Sequence, residues 1–390
     1  MRAGKEKKMK RTTKGLLLLM LTVLVCMAGC SRKSPEKSAT PVTLKLGHVG
    51  HDHHLALYVA FDNAEEYAQK SGINVKVLED RKLYELIENG QKIADVEVVK
   101  VGGGSKMPAA LAQGIIDVGF GGVPPVLASH DSGAPVKIIS PLHSKGDMFV
   151  VKPDSPIKSW GDFVEAAQSA DKPIRIGYKS PMAVAKVIFE EALTHEGISF
   201  GGDPADADVK VHLINTKGGG KLNVCLGGDL IDGYVGNNPF PSIAAEKKIG
   251  RIVCDLEDLP PGTFRDHPCC CIAANSEAIE EKADAIIALL VLFQQANETI
   301  NRDLDKAIAA ATRWIGTSET VERMSIPTSG YSLEQSQQWQ SAMNEWIGAM
   351  NRLGIFQGTL KEASPEKVCQ LAYDMSLLNQ AKEKLALSQE

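Results

Sequence analysis

The chain has 390 residues, 44% hydrophobic and 23% charged, with 43 Lys and Arg against 48 Asp and Glu and a formal net charge of −5. That length supports about two domains with full cores, and its Leu, Ile, Val and Phe content excludes global disorder and fibrous or collagen-like classes. The mildly acidic balance argues against nucleic acid as a partner, which requires clustered excess Lys and Arg.

Positive charge is concentrated at the start. Residues 1–29 carry seven basic residues (Arg2, Lys5, Lys7, Lys8, Lys10, Arg11, Lys14) and one acid, Glu6. Gly15 to Val25 is an almost unbroken apolar run, followed by Cys26-Met27-Ala28-Gly29-Cys30. These are the n-region, h-region and small-residue cleavage site of an export signal, and the run is shorter than the ~20 residues a membrane-spanning helix needs. The ending Ala28-Gly29-Cys30 resembles a bacterial lipobox, which implies that Cys30 becomes the lipidated first residue of the mature protein. Ordinary secretion with a nearby cut and an uncleaved anchor are the alternatives. Residues 30–41, rich in Ser, Lys and Pro, are expected to form a flexible tether. Removing residues 1–29, with their seven basic residues and one acidic residue, leaves 361 residues with a net charge of −11. An anionic solute would therefore have to be captured by local groups rather than by the overall field.

From Val42 onward, short Val/Ile/Leu runs alternate with helical patterns, which specifies α/β architecture. Strands are expected at Thr43–Val49, Asn74–Leu78, Asp95–Val101, Val118–Phe120, Val136–Ile139, Met148–Val151, Ile174–Gly177, Val209–Ile214, Gly233–Val235, Ile252–Cys254 and Cys270–Ala273. Two windows repeat one pattern. Gly102-Gly103-Gly104, a short helix, Ile116-Asp117-Val118-Gly119 and Pro124 match Gly218-Gly219-Gly220, a short helix, Ile231-Asp232-Gly233 and Pro239. Aligning Gly104 with Gly220 puts Asp117 and Asp232 at 13 and 12 residues, and each Asp precedes its Pro by 7. Two similarly built lobes follow.

In each window a strand runs into a Gly/Asn/Pro turn and then a helix: Gly121-Gly122-Val123-Pro124 and Gly236-Asn237-Asn238-Pro239. Small and amide residues admit a ligand to the backbone, and open α/β sheets bind ligands at strand C-termini. Two other loops have this character. One is Gly50-His51-Asp52-His53-His54 after the first strand. The other is Lys179-Ser180-Pro181-Met182, where Ser180 could cap a helix and Lys179 could meet a bound acid. The candidate ligand-binding residues are thus His51, His53, His54, Gly122, Val123, Lys179, Ser180, Asn237 and Asn238.

The histidines from His48 to His54 also admit a metal reading, but His53 and His54 are adjacent and diverge, while His143, His195, His212 and His267 are isolated in sequence. Adjacent strand residues face opposite sides, so Cys269-Cys270-Cys271 are expected to be small buried hydrophobes rather than a metal site. Neither glycine triplet has the spacing of a phosphate-binding P-loop, and no G-x-S-x-G or H-E-x-x-H occurs. The C-terminal third reads as helices: Glu277–Asn301 capped by Ser276, one opened by Ser332, and a last one opened by Ser364-Pro365. Trp314, Trp339 and Trp346 are expected to pack rather than to stack on ligand.

The ordered set resembles the periplasmic solute-binding proteins of nitrate/sulfonate/taurine-type ABC importers, together with the related thiamine-pyrimidine-precursor binders. The matching residues are Gly47 to Ala60, Ala110 to Pro125, Gly133 to Ile139, Ser159-Trp160-Gly161-Asp162-Phe163, Ile231-Asp232-Gly233-Tyr234 with Pro239-Phe240, and His267-Pro268-Cys269. The resemblance implies a type II periplasmic-binding fold: two Rossmann-like α/β lobes joined by a two-crossover hinge, with C-terminal helices. It implies lobe 1 from 42–147 plus about 272–390 and lobe 2 from 148–271. The implied function is an extracytoplasmic, lipid-anchored, monomeric receptor, not an enzyme and without a cofactor. It would close on a small polar or anionic organic solute and deliver it to a membrane permease. Some members clamp the acid with Arg; these loops have only Lys179, which argues against a strongly held dianion. The alternatives are a zinc or nickel receptor using His48–His54, and a pyrimidine-synthesis-like enzyme on the same fold.

Overall fold

The alternation of short β-branched runs with amphipathic helices produces two twisted sheets in this computed structural model, which describes residues 42–388 apart from 204 and 207. The expected signal segment, Cys30 and the tether lie outside the described residues. The strands are β1 (Val42–His48), β2 (Ile73–Glu79), β3 (Leu83–Glu88), β4 (Gln91–Lys100), β5 (Val118–Gly122), β6 (Val136–Lys145), β7 (Asp147–Val151), β8 (Ile174–Tyr178), β9 (Phe200–Gly201), β10 (Val211–Asn215), β11 (Gly233–Asn237), β12 (Arg251–Asp255), β13 (Pro268–Asn275) and β14 (Ser329–Tyr331). One sheet runs β14-β6-β13-β5-β1-β4-β3-β2 and the other β12-β7-β11-β8-β10-β9.

Both sheets share one motif. β1 lies between β4 and β5, parallel to each, and β8 lies between β10 and β11 in the same way. Each motif is extended by an antiparallel strand, β13 on β5 and β7 on β11. The repeat is more regular than the expected alignment. Gly103 and Gly218 share the same unusual backbone, with φ 140 and 139, and both precede their Asp by 14 residues with no gap. The equivalent residues are therefore Gly103 and Gly218, not Gly104 and Gly220.

The repeated Asp has one structural duty. Asp117 Oδ2 accepts from the Lys45 N–H at 2.7 Å, and Asp232 Oδ2 accepts from the Arg175 N–H at 2.9 Å. Each thereby pins the central strand of its motif. A cation completes each site: Lys282 Nζ at 2.7 Å from Asp117, and a bidentate Arg175 on Asp232. Gly47 and Gly177 are equivalent too, since an added Cβ would lie 2.4 Å from Ile116 Cδ1 and 2.6 Å from Ile231 Cδ1. Only glycine lets the isoleucine ahead of the neighbouring strand lie so close.

The chain crosses between the sheets at Gly146 and returns between β12 and β13. Pro268 to Cys271 already pair with β6 and β5, so the return lies ahead of Pro268 rather than at the expected 271/272. Lys145 N–H donates to the His267 carbonyl at 3.1 Å and ties the two crossovers together. Gly146 has φ 79, and a side chain there would strike Ser329 Oγ and His53 Nε2.

Ser276 does not cap one long helix. Asn275 caps Ser276–Glu281, and Ala283–Arg302 follows separately. That second helix is buried on most sides between Leu55–Asp62 and Ser376–Leu387, as its apolar run requires. Ser336, not Ser332, caps Gln337–Arg352, and Ser364 caps Pro365–Ala372. Trp314 stacks on Tyr58, and buried Trp346 donates to the Pro268 carbonyl at 2.8 Å. No helix among the described residues is long and apolar enough to cross a membrane.

Candidate functional site

The C-terminal ends of β1, β4, β8, β10 and β11 converge on a cleft of about 770 Å³ between the two sheets, within the size range of small-molecule sites. Gly50 and His51 enter after β1, and Lys179 and Ser180 after β8. The paired glycine turns enter after β4 and β10, with Asn237 and Phe240 after β11. The twin φ values near +140 turn the chain sharply, and the glycines that follow bring bare backbone to the cleft wall.

Four lysines reach this cleft: Lys100, Lys106, Lys179 and Lys217. Among the described residues no Asp or Glu lines it, and none of the four has a carboxylate within 4.0 Å. Lys179 Nζ donates to Asn237 Oδ1. Only Lys179 was expected; the others flank the glycine turns or end β4, and their convergence depends on the lobes facing each other. A one-signed cluster walled by low-dielectric protein focuses a positive potential there despite the acidic chain.

Of the expected ligand-binding residues, His51, Lys179, Ser180 and Asn237 line the cleft. His54 and Gly122 line a chamber of about 20 Å³ behind it, with Cys269 and Cys270. This is room for roughly one water. Val123 is buried in packing. Asn238 is also buried and bonds the Ser325 carbonyl and Thr328 Oγ1, tying the second sheet's loop to the C-terminal helices. His53 points away from the cleft to a cluster described below. Ser180 does not cap the next helix, which starts at Val184 behind Ala183.

His48 and the stretch His51–His54 are buried. Burial, with the neighbouring imidazoles, pushes His48 down to about 3 and His53 to about 4, and lowers His51 and His54. These rings are neutral at physiological pH, so they offer hydrogen bonds or lone pairs, not charge. Asp52 accepts from Ser325 Oγ; burial and the nearby Glu322 raise its carboxyl well above the usual range, and the contact fixes the turn on Glu319–Ser325.

All three cysteines are buried, as expected, but Cys269 and Cys270 do not face opposite sides. The β13–β6 ladder shifts register on both sides of Cys270, and the bulge breaks strict alternation. Cys269 Sγ lies 3.3 Å from His53 Nδ1 and 4.0 Å from Cys270 Sγ, which is 3.8 Å from the same nitrogen. The His143 ring centroid is 4.0 Å from that of His53, so His143 is not isolated. Cys271 alone turns away, toward the Gly121 carbonyl. Asp147 Oδ2 accepts from Cys269 at 3.0 Å and stands 3.5 Å from His267 Nε2. Burial opposes charge on Cys270, but the bond to Cys269 and the imidazoles of His143 and His53 outweigh it and hold that thiol well below its ordinary value. Burial and the Cys270 and Asp147 contacts push Cys269 up.

A family model described as the NMT1-like family matches residues 37–316. The chain belongs to the NMT1-like family. A relative of this NMT1-like protein, an uncharacterized protein of Methanocaldococcus jannaschii, is 40% identical over 131 residues, 33% of this chain and 88% of the relative. Among solved structures, the nitrate-binding protein NrtA of Synechocystis PCC 6803 is similar with a TM-score of 0.67 at 14% identity, covering 90% of this chain and 91% of that one. A zinc-bound ligand-binding component of an ABC-type import system from Staphylococcus aureus gives 0.66 at 15%, covering 87% and 98%. The alkanesulfonate-binding protein SsuA of Xanthomonas axonopodis pv. citri bound to MOPS gives 0.59 at 15%, covering 88% and 99%. The NMT1-like chain therefore has the type II periplasmic-binding fold.

Proposed function

We propose that this protein is the extracytoplasmic, lipid-anchored solute receptor of an ABC importer, and that its two lobes close on a small organic solute carrying more than one negative charge. The observation that carries the reading is the cleft lined by Lys100, Lys106, Lys179 and Lys217 with no carboxylate among the described residues. Gathering four cations without counter-charges is unfavourable, and a multiply charged anion relieves it. His51, Ser180 and Asn237 add hydrogen-bonding groups that would orient such a solute, and the glycine turns admit it to the backbone. The fold shared with nitrate- and alkanesulfonate-binding proteins supports a receptor over an enzyme.

Thermal-shift screening of the full chain against nitrate, taurine, alkanesulfonates, inorganic phosphate, di- and tricarboxylates and neutral aminopyrimidines tests this. The reading expects the largest stabilisation from multiply charged anions, reduced by Lys179→Gln and Lys217→Gln. Stabilisation by an aminopyrimidine alone, unchanged in both variants, would contradict it.

A further inference from the structure

Behind the lysine-lined cleft, four ligating side chains from three separate segments meet: His53 from the turn after β1, His143 from β6, and Cys269 and Cys270 from the bulge opening β13. All four are at most 5% exposed, and one ligand atom from each lies within 4.8 Å of the others. A tetrahedral ion with bonds of about 2.3 Å to sulfur and 2.0–2.1 Å to nitrogen requires separations of about 3.8 Å between sulfurs and about 3.6 Å between sulfur and nitrogen. The observed values are 4.0 Å for the sulfur pair and 3.3 and 3.8 Å for His53 Nδ1 to the two sulfurs.

The imidazoles are oriented for this. His53 Nε2 faces the Gly146 carbonyl at 3.2 Å and His143 Nδ1 faces the Ser144 carbonyl at 3.3 Å. A carbonyl only accepts, so these nitrogens carry the protons, and His53 Nδ1 and His143 Nε2 keep their lone pairs. This arrangement fixes the tautomer of a ligating histidine. His143 Nε2 is buried with no hydrogen-bond partner among the described residues, an orphaned acceptor that a bound ion would satisfy.

We infer that His53, His143, Cys269 and Cys270 form a closed site for one divalent transition-metal ion of the zinc class, separate from the solute cleft and set against the hinge. Two imidazoles and two thiolates match a borderline-soft, tetrahedral ion better than magnesium or calcium, which take oxygen ligands. Binding displaces the two thiol protons to solvent as the two sulfur–metal bonds form. Gly146 lies on one crossover and bonds His53, while Cys269 adjoins the other, so the ion would brace both crossovers at once.

Cobalt(II) titration of the anaerobically purified full chain, with metal counted by mass spectrometry, tests the site. One ion per chain is expected, with the thiolate-to-cobalt charge-transfer band and the intense visible bands of tetrahedral cobalt. Zinc should displace cobalt and bleach both. Cys270→Ser and His143→Gln should lower cobalt affinity by roughly 100-fold or more. Cys271→Ser should retain the band, and Lys179→Gln and Lys217→Gln should leave it unchanged, which separates this site from the solute cleft. Absence of the charge-transfer band in the wild-type chain, or its survival in Cys269→Ser/Cys270→Ser, would overturn the assignment. The wild-type result decides even if a variant fails to fold.

Discussion

The paired aspartates predict an asymmetry in stability that burial alone dictates. Asp117→Asn keeps an amide oxygen able to accept from Lys45 N–H but removes the charge facing Lys282. That pair is largely buried, with side chains 12% and 22% exposed. A charge-assisted hydrogen bond is worth about 1.5–3 kcal/mol, and stranding one member of a fully buried pair costs about 3–5 kcal/mol. Lys282 reaches some water, so about 2–3 kcal/mol is expected. Asp232→Asn removes the same type of contact from Arg175, but both side chains are 38% exposed. Solvent screening reduces that pair to about 1 kcal/mol or less. Urea unfolding of both variants at neutral pH, with unchanged m-values as the control, should place Asp117→Asn about 1–2 kcal/mol below Asp232→Asn. An equal or larger loss for Asp232→Asn would refute the argument that burial separates the two copies.

Burial works against the charged form of Asp232, yet its bonds from Arg175 outweigh it and hold the carboxyl below its usual value. Its contribution is therefore present above the unfolded value near pH 4 and lost as pH falls through the lower folded one. Acid titration of stability should show the difference between wild type and Asp232→Asn begin to shrink below about pH 4 and close as pH falls through the lower folded value; a difference that grows as pH falls would contradict the sign. Gly219→Ala puts a Cβ 2.3 Å from the Phe240 ring, whereas a Cβ on Gly104, its equivalent in the other lobe, meets nothing within 4 Å. Calorimetry on the best anion should show Gly219→Ala weakened by about 1–3 kcal/mol and Gly104→Ala nearly unchanged, and equal effects would count against Phe240 shaping the cleft. Small-angle scattering should show compaction on saturation with that anion, since closure brings the two lobes together; an unchanged radius of gyration with tight binding would argue for a preclosed cleft.

The two-lobed α/β fold was legible because glycine and aspartate have few substitutes where a turn needs positive φ or a strand N–H needs an acceptor. The repeat was therefore visible, although the glycine triplets left its register ambiguous until the backbone matched Gly103 with Gly218. The hairpin strand Leu83–Glu88 was missed because it carries two acidic residues, Glu85 and Glu88, and is only half covered. In the cleft, His51, Lys179, Ser180 and Asn237 were found from their place at strand ends. Lys100, Lys106 and Lys217 were not, since long side chains converge only after the lobes face each other. The thiol–imidazole cluster was hidden for a different reason. Strand alternation argued against neighbouring cysteines, and the bulge that defeats alternation arises from pairing with β6, which no local pattern announces.

The central claim is that the cleft takes a multiply charged anion. Isothermal calorimetry of the stabilising solute across a series of ionic strengths measures this most directly. Screening of the lysine contacts predicts affinity that falls steeply with salt and loses that slope as Lys100, Lys106, Lys179 and Lys217 are changed to Gln. A tight solute whose affinity is indifferent to both salt and these substitutions would contradict the account.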